Sequence, residues 1–164
     1  SVISNTNVPS TLYAFWDATD YTITYKNTED IQNTLINGYN ATELPLTLKN
    51  PSRTGYKFTG WSVAGAEGLQ QTYTIPEGTT GALEFTANWE AVNYTITYNC
   101  NQYVTNYTIV EDHAIELPIP ERVGYTFTGW KEVGTNRVIK ELTVGTYGDK
   151  ALEEVWEANI YKVT

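Results

Sequence analysis

Apolar and hydroxyl side chains alternate along Tyr21-Thr22-Ile23-Thr24-Tyr25, and the same five letters return at Tyr94-Thr95-Ile96-Thr97-Tyr98. A period of two puts Tyr94, Ile96 and Tyr98 on one side of a strand, with Thr95 and Thr97 on the other. A second alternating run, Tyr125-Thr126-Phe127-Thr128, follows Gly124, a residue suited to a turn with positive φ. Its counterpart follows Gly55. Gly129 before Trp130 predicts a bulge or a close backbone approach that lets the indole fold over the core. A last strand is expected from Leu83 to Trp89 and from Leu152 to Trp156. The Leu-Pro segments, such as Leu117-Pro118-Ile119-Pro120, read as extended connections that end pairing, because proline lacks a donor.

These runs are two copies of one unit. Arg53-Thr54-Gly55-Tyr56-Lys57-Phe58-Thr59-Gly60-Trp61 returns as Arg122-Val123-Gly124-Tyr125-Thr126-Phe127-Thr128-Gly129-Trp130. Glu43-Leu44-Pro45 matches Glu116-Leu117-Pro118 in letters, and Ala87-Asn88-Trp89-Glu90 answers to Glu154-Val155-Trp156-Glu157. The spacing is 73 residues at the first landmarks, then 69 and 67. That drift predicts four extra residues in the first copy between its Leu-Pro and its Gly-Tyr. Leu12-Tyr13-Ala14-Phe15-Trp16 and Tyr161-Lys162-Val163-Thr164 fit the same frame at the two ends. The expected organisation is therefore the tail of a repeat (1–20), two modules (21–92 and 93–160) and the start of a further repeat (161–164). On this reading the chain is a window cut from an array, which the absence of Met also suits. Residues 28–38 alone could form a short capped helix, with Ile31 and Leu35 on one face. The matching stretch of the second copy, up to Tyr107-Thr108-Ile109-Val110, is β-branched and aromatic, so the strand reading is preferred for both.

The order Tyr-Thr-Ile-Thr-Tyr, Leu-Pro, Arg-x-Gly-Tyr-x-Phe-x-Gly-Trp and Ala-x-Trp resembles the Listeria–Bacteroides repeat, the B-repeat type of unit of internalin-like bacterial surface proteins. The signature positions are Gly55, Tyr56, Phe58, Gly60, Trp61 and Trp89, repeated as Gly124, Tyr125, Phe127, Gly129, Trp130 and Trp156. The resemblance covers residues 21–164. It implies a mainly β module, with a β-grasp-like α+β variant as the alternative, strung in tandem on a secreted or wall-attached protein. It also implies a stalk or interaction role without catalysis, and an extracellular location at the bacterial surface. The Asn-Gly-Gly turn common after the first strand of such repeats is replaced here by Lys26-Asn27-Thr28 and Asn99-Cys100-Asn101.

Composition narrows the chemistry. Nineteen Asp and Glu against ten Lys and Arg give a net charge of −9, which disfavours nucleic acid and anionic membranes as partners. The charge divides as −2 before Tyr21, −3 over 21–93 and −4 over 94–164, so it marks no single site. No apolar run approaches the roughly 20 residues that cross a bilayer, and no signal peptide or lipidation motif is visible. One Cys excludes an internal disulfide and a four-cysteine zinc site.

Neither His113 nor Cys100 recurs: Asn40 and Asn27 stand 73 residues earlier, so no nucleophile–histidine arrangement repeats. Glu111-Asp112, Glu153-Glu154 and Glu157 could be paired carboxylates, but the spacing suggests no shared cleft, and a solvated acidic face is the simpler reading. They lack the ligand pattern of a calcium loop. No lysine recurs, against an isopeptide cross-link, and the three sequons at Asn40, Asn93 and Asn106 read as accidental. Arg53 and Arg122 are expected in an ion pair or cation–π contact within the module. Tyr13, Tyr39, Tyr103 and Tyr147 are candidate exposed rings for sugar or protein binding. No catalytic residue, cofactor or metal is expected. The expected partners are neighbouring repeats, with a host or cell-surface protein or glycan beyond them. A carbohydrate-binding module of a larger secreted enzyme is the alternative.

Overall fold

The computed structural model describes residues 11, 13–100 and 103–163. The first copy holds β1 (Tyr21–Lys26), β2 (Gly38–Tyr39), β3 (Leu46–Thr47), β4 (Tyr56–Val63), β5 (Thr74–Ile75) and β6 (Leu83–Ala91). The second holds β7 (Tyr94–Tyr98), β8 (Val104–Tyr107), β9 (Ile115–Glu116), β10 (Tyr125–Glu132), β11 (Val138–Ile139), β12 (Glu141–Leu142) and β13 (Lys150–Ala158). The fold is mainly β in tandem modules. No helix occurs among the described residues, so the α+β grasp-like variant finds no support, and residues 28–37 are irregular chain leading into β2.

Each module is a mixed sheet backed by a two-stranded ribbon. The order is β2-β1-β6-β4 in the first and β11-β10-β13-β7-β8 in the second. The first and last strands of a module lie side by side and parallel, Ile23 level with Leu83 and Ile96 level with Lys150. The ribbons, β3 with β5 and β9 with β12, close the other side of the core. The alternation expected of the first strand holds: Ile23 and Ile96 are buried, while Thr22, Thr24 and Thr97 face solvent.

The expected bulge is present in both copies. Pairing slips between Phe58 and Gly60 and again between Phe127 and Gly129, where φ is 138° and 149°. There is no room for a side chain at this slip. A Cβ on Gly129 would lie 2.6 Å from Val138 Cγ1 and 2.9 Å from the Ile139 carbonyl oxygen. The slip turns Trp61 and Trp130 inward, where both are fully buried. Around Trp61, ring centroids of Phe58, Tyr25 and Phe85 stand at 5.0, 5.3 and 5.9 Å; around Trp130, those of Tyr98 and Phe127 stand at 4.7 and 5.4 Å. Such tilted and edge-on pairs add to plain area burial.

Three sequence expectations are corrected. Tyr39, a candidate surface ring by sequence, is 2% exposed, and its hydroxyl donates to the Gly81 carbonyl at 2.7 Å. Its structural counterpart is Tyr107, which donates to the Gly148 carbonyl. Both tyrosines pair with the first residue of the first strand, Tyr21 or Tyr94, so they differ by 68 positions and not 73. Asn40 therefore corresponds to Thr108, and His113 sits in a loop of unequal length.

The Glu-Leu-Pro match is the second correction. Leu46 pairs with Ile75 and Ile115 with Leu142, while the Leu48 and Leu117 amides donate to Tyr73 and Lys140 carbonyls. Leu46 to Trp61 thus superposes on Ile115 to Trp130 at a constant 69, with no insertion before the Gly-Tyr. The length difference lies between the first two strands, 18 residues from Tyr21 to Tyr39 against 13 from Tyr94 to Tyr107. Side-chain position relative to the core, and not letter identity, sets the equivalence. Third, the strand expected over the matching stretches is confined to Val104–Tyr107 in the second copy, short of Val110, and to Gly38–Tyr39 in the first, where 28–37 form neither helix nor strand.

Three outcomes are expected. Gly129→Ala should lower the stability of its module by about 2 kcal/mol, since an L side chain is strained at this φ and has no space; native-state hydrogen exchange at Ile96 measures it. Trp130 Nε1 donates to the Pro118 carbonyl at 2.8 Å, whereas buried Trp61 Nε1 has no partner among the described residues. Trp130→Phe should therefore cost about 1–2 kcal/mol more than Trp61→Phe, each read by exchange in its own module. Burial pushes the Tyr25 and Tyr107 hydroxyls up to about 12 from 10.0, with the Asp149 charge adding to the effect at Tyr107. The folded state thus holds these protons more tightly than the unfolded chain. Their contribution is intact below pH 10 and is lost as pH rises from 10 through about 12, which urea titrations across that window would register.

Candidate functional site

The residues that could carry chemistry do not converge. His113 Nδ1 lies 2.6 Å from Asp112 Oδ1, with the two side chains 76% and 94% exposed. Hydrogen bonding to Asp112 raises the His113 pKa and lowers that of Asp112. His113 borders a shallow groove of about 520 Å³ with Glu111 and Glu116, and no nucleophile stands in it. Cys100 packs, half-buried, against the second core as a free thiol. Glu153 is paired with Lys131 at 3.1 Å, Glu132 with Lys150 at 2.9 Å, and Glu154 accepts from Trp156 Nε1 at 3.1 Å. These carboxylates are spread along strand surfaces and enclose no cleft. Among the described residues, no group of three or more His, Cys, Asp and Glu could hold a metal ion.

The exposed rings do not align either. Tyr13 is 78% and Tyr147 55% exposed, but Tyr147 precedes Gly148 as Thr80 precedes Gly81, so the ring is not repeated. Tyr103 packs edge-on against Tyr98 at 5.8 Å. Phe15 and Trp16 are exposed in the stretch before β1, which forms no strand among its described residues; residues 1–10 and Leu12 of the expected repeat tail lie outside them, as does Thr164 of the expected following repeat.

What does repeat is the Arg-x-Gly-Tyr turn with the aromatic ladder behind it, although Arg53 also pairs with Asp30 at 3.2 Å. The Tyr56 amide donates to the Arg53 carbonyl at 3.2 Å and the Tyr125 amide to that of Arg122 at 3.1 Å. Each guanidinium lies over the ring of its own tyrosine, 4.3 Å away for Arg53 and 4.1 Å for Arg122, as the cation–π expectation had it. Gly55 and Gly124 take φ of 77° and 78°. Behind the turn, Phe58 bridges Trp61 and Trp89, and Phe127 bridges Trp130 and Trp156, all edge-on.

The same turn anchors the connection that leaves each module. The Val92 amide donates to the Gly55 carbonyl and the Asn159 amide to the Gly124 carbonyl, both at 2.9 Å. Only Val92 and Asn93 separate β6 from β7. The arrangement holds strands, turn and connection together and offers no reacting group. The sequence revealed the turn through its letters; it could not reveal the hook from Val92, because a backbone donor leaves no mark on residue identity.

Comparison with known proteins agrees with this repeat geometry. Over 158 residues, or 93% of this chain and 18% of the relative, the sequence is 26% identical to a protein of Evansella cellulosilytica provisionally named a Gly-rich membrane protein. Over 96 residues, or 58% of this chain and 18% of the relative, it is 29% identical to Internalin H of Listeria monocytogenes. The chain thus spans under a fifth of the length of these relatives. No solved structure matches it. The sequence profile of the Listeria-Bacteroides repeat domain matches twice, at residues 21–88 and 94–152, one match per module. The chain belongs to the Listeria-Bacteroides repeat domain family.

Proposed function

We propose that the chain is a non-enzymatic stalk segment of a bacterial surface protein. Outside the cell it spaces other domains from the envelope and adds weak, multivalent contacts to a host or cell-surface protein or glycan. One observation carries this reading: the first and last strands of each module are parallel neighbours. Parallel pairing lets the chain enter at one end of the sheet and leave at the other, so every module adds length. With Ile23 level with Leu83, Tyr21 is level with Gly81, and the strand then runs on to Ala91, ten residues further. At about 3.3 Å per residue this is an advance of roughly 33 Å per module. The two-residue connection, hooked to the Gly55 carbonyl, leaves little slack between modules. The surface location draws on the names of the relatives, an internalin and a membrane protein.

The carbohydrate-binding alternative needs a flat row of exposed rings at equivalent positions. Tyr147 with Thr80 as its counterpart is not such a row. Glycan-array hits that disappear with Tyr147→Ala would reverse the preference.

Small-angle scattering of the full chain tests the stalk reading. The expected maximum dimension is about 65 Å or more, two module advances end to end. A value near that of one module, with the two folded back on each other, would overturn it.

A further inference from the structure

The two Arg-x-Gly-Tyr turns share their backbone bond, their positive φ and their cation–π stack, yet one is covered and the other is bare. Gly55 is buried: a Cβ built on it would lie 2.7–2.9 Å from the Cδ1, Cγ2 and Cβ atoms of Ile109. Ile109 belongs to the following module, two residues beyond buried Tyr107, in the loop between β8 and β9. At Gly124 a Cβ would meet nothing within 4 Å among the described residues. Arg53, Thr54 and Tyr56 are half-buried, whereas Arg122, Val123 and Tyr125 are exposed, Val123 completely. Part of that cover is the first module's own loop, where Asp30 pairs with Arg53 and Gln32 Nε2 donates to the Thr54 hydroxyl, so the contrast at the glycine is the one that isolates the neighbour. Ile119, 78% exposed, joins Val123, Tyr125, Phe127 and Trp156 along an open groove of about 670 Å³.

Gly55 and Gly124 share their φ and their turn, so the difference at the glycine itself comes from the following module, which supplies Ile109. The first turn therefore identifies what the second accepts. Resting on the tandem-array reading above, we propose that the turn Arg122–Tyr125 is a socket for the next repeat of the array. That repeat seats on Gly124 an apolar side chain from the loop after its own second strand, as Ile109 seats on Gly55. The glycine in this motif then meets two requirements at once. It supplies the positive φ of the turn, and it leaves its Cα open to the neighbour. The Val92 hook fixes where the next module begins, and the isoleucine fixes how it is turned about that point. Val123, where the first copy has Thr54, gives the bare socket a more apolar rim than the covered one.

The test uses the full chain and reads backbone amides by NMR. Ile109→Asp should speed hydrogen exchange of the Val92 amide by roughly tenfold and shift the Gly55 resonance, leaving Asn159 and Gly124 unmoved. Ile109 lies outside the second core cluster, so Trp130 fluorescence should report an intact module. Gly55→Asn is the companion variant, because asparagine tolerates positive φ but carries a Cβ; it should give the same loosening of Val92. Extending the full chain at residue 160 with a second copy of residues 94–160 then fills the bare socket. Exchange of the Asn159 amide should slow by roughly tenfold and the Gly124 resonance should move toward the Gly55 position. An Ile109→Asp change in the appended copy alone should undo both. Unchanged Asn159 and Gly124 signals in the extended chain, or an unmoved Val92 in the single variants, would overturn the socket. An extended scattering profile with an unmoved Gly124 sinks the socket and leaves the stalk standing. A compact profile with a covered Gly124 does the reverse.

Discussion

A single indole in each module sets the terms for everything around it. Trp61 and Trp130 can be fully buried only because the strand slips by one residue just before them, and the slip is possible only because the residue there has no side chain. Modules of about 70 residues have little core to spend, and a buried tryptophan with edge-on aromatic neighbours supplies much of it. The single cysteine means that no disulfide shares this task. The unpartnered Trp61 nitrogen shows how far packing dominates: one copy leaves a polar atom unsatisfied where the other bonds it.

Around that centre the modules are closed by interactions that span almost their whole length. The first strand finds its parallel partner about 60 residues later, and Tyr39 and Tyr107 tie the second strand to glycine carbonyls more than 40 positions on. Such non-local closure makes slow folding the expectation for each module. It also explains why loop lengths drift between copies while the paired positions do not. The irregular stretch from 27 to 37 is five residues longer in the first copy, at no expense to the core, because loop closure depends only weakly on length.

The sequence was most legible where geometry and residue type coincide. Glycine at a positive φ, glycine at a bulge, and tyrosine alternating with threonine each announce a backbone state, and each was found where expected. It misled where letters repeat without structural equivalence. Glu43-Leu44-Pro45 and Glu116-Leu117-Pro118 share three letters, but the buried leucines that actually correspond are Leu48 and Leu117. Tyr39 looked free because its partner Tyr107 stands 68 positions away and not 73. The junction was not legible at all, since a backbone donor at Val92 and a side chain passing over Gly55 involve residues of different modules and carry no motif.

The parallel pairing has a mechanical side. If the chain is pulled from its two ends, the first and last strands of a module are drawn in opposite directions along their common axis. Their hydrogen bonds are then loaded together in shear, whereas an antiparallel terminal pair would be peeled open one bond at a time. Thr24 Oγ1 bonded to the Leu83 carbonyl and the Lys26–Glu84 ion pair bridge the same two strands, and both would have to give way in the same event. A module built this way resists tension up to a threshold and then yields as a whole, releasing the length stored between its first strand and its last.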